Sequence, residues 1–279
     1  MSPAKDASAW TEVGRDVYVL RYPVLDVSVT LVVGDGAALL VDTLSTDAQA
    51  RELAEAARRV TPHPWTIVNT HHHFDHCFGN DVLGGGRPIW GHEEAAALLS
   101  ERAAAMQRRW YEEWEPTHPQ LAAGLARVRV RPPDHLVHLT ETLQIGGRLV
   151  VLRHLGRGHT AGDLVVHVPD ADVLVAGDLV EQSGPPDFTD GYPLEWPETL
   201  TALRHLAGPG TAVVPGHGAV VDRDFVAAQH DSLAALAWLI RDGHADGAEV
   251  DAVAARAPYE LPVAHVAVRR GYAELSGVS

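Results

Sequence analysis

The chain has 279 residues, 46% of them hydrophobic and 21% charged, with a formal net charge of −15. That length buries a sizeable core in one large domain or two small ones, and a surface this acidic repels phosphate backbones, which argues against nucleic acid as a partner. No run of eighteen apolar residues reads as a membrane span, and a lone cysteine, Cys77, excludes an internal disulfide and a cysteine-rich zinc site.

The opening MSPAKDASAWTEV lacks the apolar core of a secretory signal, so a cytoplasmic protein is expected. Strands are predicted in DVYVLRYP (16–23), VSVTLVVGDG (27–36) and AALLVDT (37–43), which are rich in Val and Leu and broken by a Gly-Asp-Gly turn. Residues 46–60 carry an amphipathic helical pattern, with Thr46 or Ser45 as its N-cap. A short apolar strand, WTIVNT (65–70), then runs into a histidine cluster, and a second helix is predicted over 92–110. Residues 107–133 read as a polar, aromatic-rich segment holding Trp110, Tyr111 and Trp114 among arginines. Further strands are expected at 135–139, 148–155, 163–168 and 172–178, then helices at 196–206, 222–243 and near the C-terminus.

A weak internal repeat links LVVGDGAALLVDTL (31–44) with LVVHVPDADVLVAGDL (164–179), each a strand, an acidic turn and a strand ending near an aspartate, Asp42 or Asp178. It implies two halves of similar construction. No low-complexity stretch or linker divides them, so residues 1–279 are expected to form a single domain.

The densest chemistry lies in NTHHHFDHC (69–77), with four imidazoles and a carboxylate within six positions. In an extended chain alternate residues face one way, so His71, His73 and Asp75 are expected to face one point, with His76 turning in from the next bend. Imidazole and carboxylate suit zinc, and also iron or manganese. The helical alternative pairs His72 with His76 four residues on, but lacks the glutamate of an H-E-x-x-H motif. Three later strand ends supply further donors: His159 in LGRGHTAGD, Asp178 in VLVAGDLVE and His217 in AVVPGHGAV. A carboxylate buried at such a position needs a cation or hydrogen-bond donors.

The succession H-x-H-x-D-H, G-H-T, G-D and P-G-H-G across residues 71–218 resembles the metallo-β-lactamase-fold hydrolase superfamily, and LLVDT matches that family's opening segment. The resemblance implies an α/β fold, a four-layer αββα sandwich of two similar halves with the metals at one edge. It implies two zinc ions per chain, with iron or manganese as substitutes. His71, His73 and His159 would bind the first, Asp75, His76 and His217 the second, and Asp178 would bridge them. Asp42 matches a carboxylate the family uses to orient a ligand; His72 has no role in that scheme.

In such sites two divalent ions about 3.5–4 Å apart share a water whose pKa falls from 15.7 toward about 7, and the resulting hydroxide attacks a carbonyl carbon, with Asp75 holding it in line. Family β-lactamases usually have Cys or Ser where this chain has Asp178, whereas glyoxalase II-like thioesterases, lactonases and phosphodiesterases have the Asp. The expected substrate is therefore a small-molecule thioester, ester or lactone. RNA phosphodiesterases usually carry a basic exosite that this acidic chain does not display. The alternatives are a mononuclear-iron enzyme like the persulfide dioxygenases, a β-lactam-hydrolysing enzyme, and a non-catalytic module that kept the fold. Long irregular connections are commonly functional, so the segments at about 107–133 and 182–197 are expected to cap the metals, with Phe188, Tyr192 and Trp196 as pocket walls. Their alternative role is packing against a second copy in a homodimer.

Overall fold

A computed structural model describes residues 10–277. Its first half runs β1 (Thr11–Gly14), β2 (Val17–Tyr22), β3 (Val27–Val33), β4 (Ala38–Val41), α1 (Asp47–Val60), β5 (Trp65–Val68), α2 (Phe74–Cys77) and α3 (Asn80–Gly84). It continues through β6 (Ile89–His92), α4 (Glu93–Trp114), α5 (Pro119–Leu125) and β7 (His135–Val137). The second half holds β8 (Thr140–Ile145), β9 (Arg148–Arg153), β10 (Val165–Val168), β11 (Val173–Glu181), α6 (Trp196–Leu206) and β12 (Ala212–His217). The chain closes with α7 (Arg223–Ala245), α8 (Val250–Ala254) and α9 (Leu261–Leu275).

Strands β1–β7 pair in chain order, as do β8–β12, and the two sets join through one register pair, His217 with Val27. The four layers follow from side-chain alternation along strands covered on both faces. In β4, Ala38 and Leu40 pack with Leu53 and Ala57 of α1, whereas Leu39 and Val41 face the other sheet. In β11, Leu174 and Ala176 pack under helices α6–α9, whereas Val173 and Val175 meet Leu39 and Val41 in the central layer. The order is helices, sheet, sheet, helices, as the αββα expectation requires. The halves also share topology: β3–β4 and β10–β11 are antiparallel hairpins, and each second strand pairs in parallel with the strand after its helix, β5 or β12. Among the described residues, no helix is long and apolar enough to cross a membrane.

Two local expectations need correction, and one strand went unpredicted. The 107–133 segment is not one irregular insertion, because α4 continues to Trp114 and α5 follows. Gln, Arg and Glu are good helix formers, and Trp110 gains a packing partner in Phe74, with ring centroids 4.8 Å apart. The polar edge strand β8 was hidden because only Leu143 and Ile145 of TETLQI are buried. Finally, the extended alternation of the histidine cluster stops at His73, and Phe74–Cys77 close into a helical turn.

Candidate metal centre

The predicted donors lie at a strand end or in the turns that follow strands, except Asp178. That residue was expected at a strand end but stands inside β11, three residues before Glu181. The β5 strand delivers Asn69–His73, and α2 carries Asp75 and His76. His159 stands in the loop after β9, Asp178 within β11, and His217 at the end of β12. At Asp178 the strand is distorted: its register with β12 shifts on either side of Gly177, whose φ is 55°. Such bulges re-aim a side chain, and here the carboxylate turns toward the histidines.

The structure brings these donors into two adjoining groups, His71–His73–His159–Asp178 and Asp75–His76–His217. In the first, His159 Nε2 lies 2.9 Å from His73 Nδ1 and 3.4 Å from Asp178 Oδ2, and His71 Nε2 is 3.7 Å from that oxygen. In the second, Asp75 Oδ2 is 3.4 Å from His217 Nε2 and 3.7 Å from His76 Nε2, which are 3.3 Å apart. Asp178 reaches the second group too, at 3.2 Å from His76 Nε2 and 3.3 Å from His217 Nε2.

The outward ring nitrogens show why the inward ones converge. His76 Nδ1 is held by Asp42 Oδ2 at 2.8 Å, His217 Nδ1 by the Leu25 carbonyl at 2.7 Å, and His159 Nδ1 by the Asp187 carbonyl at 3.2 Å. His71 Nδ1 meets Thr70 Oγ1 at 3.0 Å, and that hydroxyl donates to Asp42 Oδ2. His73 Nε2 meets Asp190 Oδ2 at 3.0 Å. With each outward nitrogen donating a proton, each inward nitrogen can offer a lone pair to a cation, the arrangement of metal-binding imidazoles. Against burial, Asp178 and Asp75 raise the pKa of His76 and His217 and favour a proton on those two inward nitrogens until a cation replaces it.

A divalent cation fits. Donors about 2.0–2.1 Å from a tetrahedral ion stand roughly 3.3 Å apart, the middle of the observed spacings. His71 Nε2 and Asp178 Oδ1 are buried without a hydrogen-bond partner, a cost that a ligand would remove. Burial opposes charge on Asp178, yet His76, His217, His71 and His159 hold its carboxyl well below the usual range. Burial pushes the His71 ring well below its ordinary value, which keeps it a lone-pair donor.

Asp42 binds more partners than its sequence position suggested. Its carboxylate also accepts from the Thr70 amide, at 2.8 Å, so through Thr70 it orients His71 as well as His76. Asp190 and its hold on His73 were missed, since nothing in SGPPDFTDGY marks one aspartate over another. His72 points away from the paired groups, its Nε2 3.7 Å from Asp190. Cys77 is buried, with its thiol on the His72 and His73 carbonyls.

Of the three aromatics expected as pocket walls, Tyr192 lines a cavity of about 230 Å³ with Trp110 and Arg109. Phe188 and Trp196 do not; both are buried in the core that α6 and α7 form over β11. Their large apolar rings gain more from that core than from a wet wall, and the Trp196 indole donates to the Leu179 carbonyl at 3.1 Å. Trp196 still supports the site, its ring edge-on to His159 at 5.8 Å.

A mixed α/β sandwich with paired histidine–carboxylate groups at the edge joining its sheets defines a class of metal-binding enzyme folds. The family model described as the Metallo-beta-lactamase superfamily matches residues 22–217, and the chain belongs to that superfamily. It is similar to a Metallo-beta-lactamase type 2 of Bacillus cereus, 30% identical over 193 residues, covering 66% of this chain and 64% of that one. It is similar also to the human Acyl-coenzyme A thioesterase MBLAC2, 29% identical over 178 residues, covering 61% and 60%. The chain thus spans less than two thirds of the length of either relative. The fold matches the stereoselective inverting sec-alkylsulfatase Pisa1 from Pseudomonas sp. with a TM-score of 0.77 at 18% identity, over 97% of this chain and 50% of that one.

Proposed function

We propose that this protein is a binuclear metal-dependent hydrolase, with zinc as the expected ion, acting on a thioester, ester or lactone of a small molecule. The observation that carries this reading is the Asp178 carboxylate, within 3.4 Å of His159 on one side and of His76 and His217 on the other. His71, His73 and His159 would hold one ion, Asp75, His76 and His217 the other, and Asp178 would touch both. Bound there, divalent cations supply Lewis acidity and lower the pKa of water toward about 7.

The chain's own groups supply positioning. Asp75 lies on the helical turn α2, its side chain almost wholly buried, where one carboxylate oxygen can accept a proton from the attacking water and hold it in line with an acyl carbon. Asp42 and Thr70 keep two imidazoles in the required tautomer. Neither a serine nor a cysteine nucleophile is required, and burial raises the Cys77 thiol pKa well above its ordinary value, which removes it as a competitor. The complete second donor group favours two ions over the single iron of a dioxygenase. The similarity to an acyl-CoA thioesterase supports the acyl-transfer class, and that to a β-lactamase keeps β-lactams among the substrates to be tried.

The test is a panel of S-acylglutathione, acyl-CoA, lactones, β-lactams and phosphodiesters on the metal-loaded protein, with metal content measured alongside. Turnover of a thioester, ester or lactone with about two ions per chain is expected, and Asp75→Ala should abolish it with the circular-dichroism spectrum unchanged. One iron per chain with oxygen uptake, or full rates in the variant, would overturn the assignment.

A further inference from the structure

Beside the paired donor groups lies the cavity of about 230 Å³, with His72 and Asp190 on its wall. Its other side is α4, which presents Leu98, Arg102, Met106 and Arg109 at intervals of four, four and three, one face of a helix. Arg270 of α9, Tyr192, Trp110 and Ala161 complete the lining. In a chain with a net charge of −15, three guanidiniums here stand against one lining carboxylate, Asp190.

That carboxylate is already engaged. His73 Nε2 lies 3.0 Å from it, His72 Nε2 at 3.7 Å and Arg109 Nη1 at 3.5 Å. Arg270 is anchored by the Gly191 and Asp190 carbonyls, through Nε at 3.0 Å and Nη2 at 3.4 Å. Neither Arg102 nor Arg270 forms an ion pair among the described residues, although Glu274 lies near enough to Arg270 to feel its charge. His72, His73 and Asp190 have the spacing to hold a cation, but three adjacent guanidiniums repel one and attract an anion.

We propose that this cavity is a specificity subsite for an oxyanion-bearing arm of the substrate. Arg102 and Arg109 engage a carboxylate, sulfate or phosphate, Arg270 adds its field, and Met106, Trp110 and Tyr192 cover the apolar stem. Guanidinium forks match planar and tetrahedral oxyanions alike. The volume equals that of roughly eight water molecules, enough for a short arm. This subsite rests on the hydrolase reading for its place in catalysis, although binding of the arm does not.

Calorimetric titration of the metal-loaded full chain with phenylacetate, phenyl sulfate, phenyl phosphate and uncharged phenylacetamide tests it. The oxyanions should bind at least about tenfold tighter than the amide, and their ranking identifies the preferred group. Arg102→Gln and Arg109→Gln should each cut that preference about tenfold, whereas Arg102→Lys should retain most of it. An oxyanion attracted only to the metals would keep its preference in the glutamine variants, and that result overturns the subsite. So does equal affinity for amide and anions, or a third bound metal ion per chain. In parallel, kcat/KM for S-succinylglutathione over S-butyrylglutathione should fall about tenfold in Arg102→Gln. If both thioesters are hydrolysed with an unaltered ratio, the subsite falls and the hydrolase stands. If nothing in the substrate panel is hydrolysed but phenylacetate binding still depends on Arg102, the subsite stands and the hydrolase falls.

Discussion

Asp42 has a φ of 68° at the end of β4, a left-handed backbone that aspartate tolerates better than most residues. Its two oxygens accept three hydrogen bonds, from the Thr70 amide and hydroxyl and from His76. Asp42→Asn keeps the size and the tolerance for positive φ but replaces one acceptor oxygen with a donor. Metal affinity should fall about 10–100-fold, read by competition with a chromophoric chelator. His92 gives a second prediction. Its Nδ1 accepts from the Glu94 amide at the start of α4, and its Nε2 donates to the His138 carbonyl. Burial, then the neighbouring His154, lower its pKa from 6.5 to about 4. Between those values the unfolded chain binds a proton that the folded one refuses, so stability falls as pH drops from about 6.5 to about 4. His92→Asn retains a capping group and does not titrate; its urea midpoint should lose less than the parent's between pH 7 and pH 5.

At the scale of elements, the bulge in β11 is what lets a strand interior present a ligand. Gly177 adopts a φ of 55°, and a Cβ there would meet the Thr70 side chain at 2.8 Å. Gly177→Ala should cost about 1–2 kcal/mol from the left-handed backbone alone and should also shift Asp178, so both the denaturation midpoint and the metal stoichiometry should drop. The repeated hairpins were legible in the acidic turns at Gly34–Gly36 and Pro169–Asp172 because turn residues and apolar runs are local signals. The last turn of α4, beyond the predicted end at Trp110, was not, since its contact, Trp114 on Phe74, joins residues 40 positions apart. Phe188 and Trp196 misled for the same reason: an aromatic-rich connection reads alike whether its rings line a pocket or fill a core.

For the molecule as a whole, the candidate centre sits where the sheets meet, His217 pairing with Val27 while its Nδ1 holds the Leu25 carbonyl. Both halves contribute donors, so bound ions would stitch them together. A ligand that binds only the folded state at about a thousand times its Kd adds roughly 4 kcal/mol. Chelation should therefore lower the melting temperature by on the order of ten degrees, with recovery when zinc is restored. An unchanged melting curve would mean that the donors are not bridged.

The sequence by itself determined which side chains meet at the centre and the layered fold that assembles them. Strand periodicity, turn residues and the order of histidines and aspartates are all written locally, and the superfamily pattern reads them together. Only the tertiary structure decided which way each ring turns, that His72 faces Asp190, and that three arginines from α4 and α9 gather beside the site. Those orientations lie in turns or across distant helices, where no backbone period governs direction. There the nearest acceptor or packing partner decides, and it comes from another part of the chain.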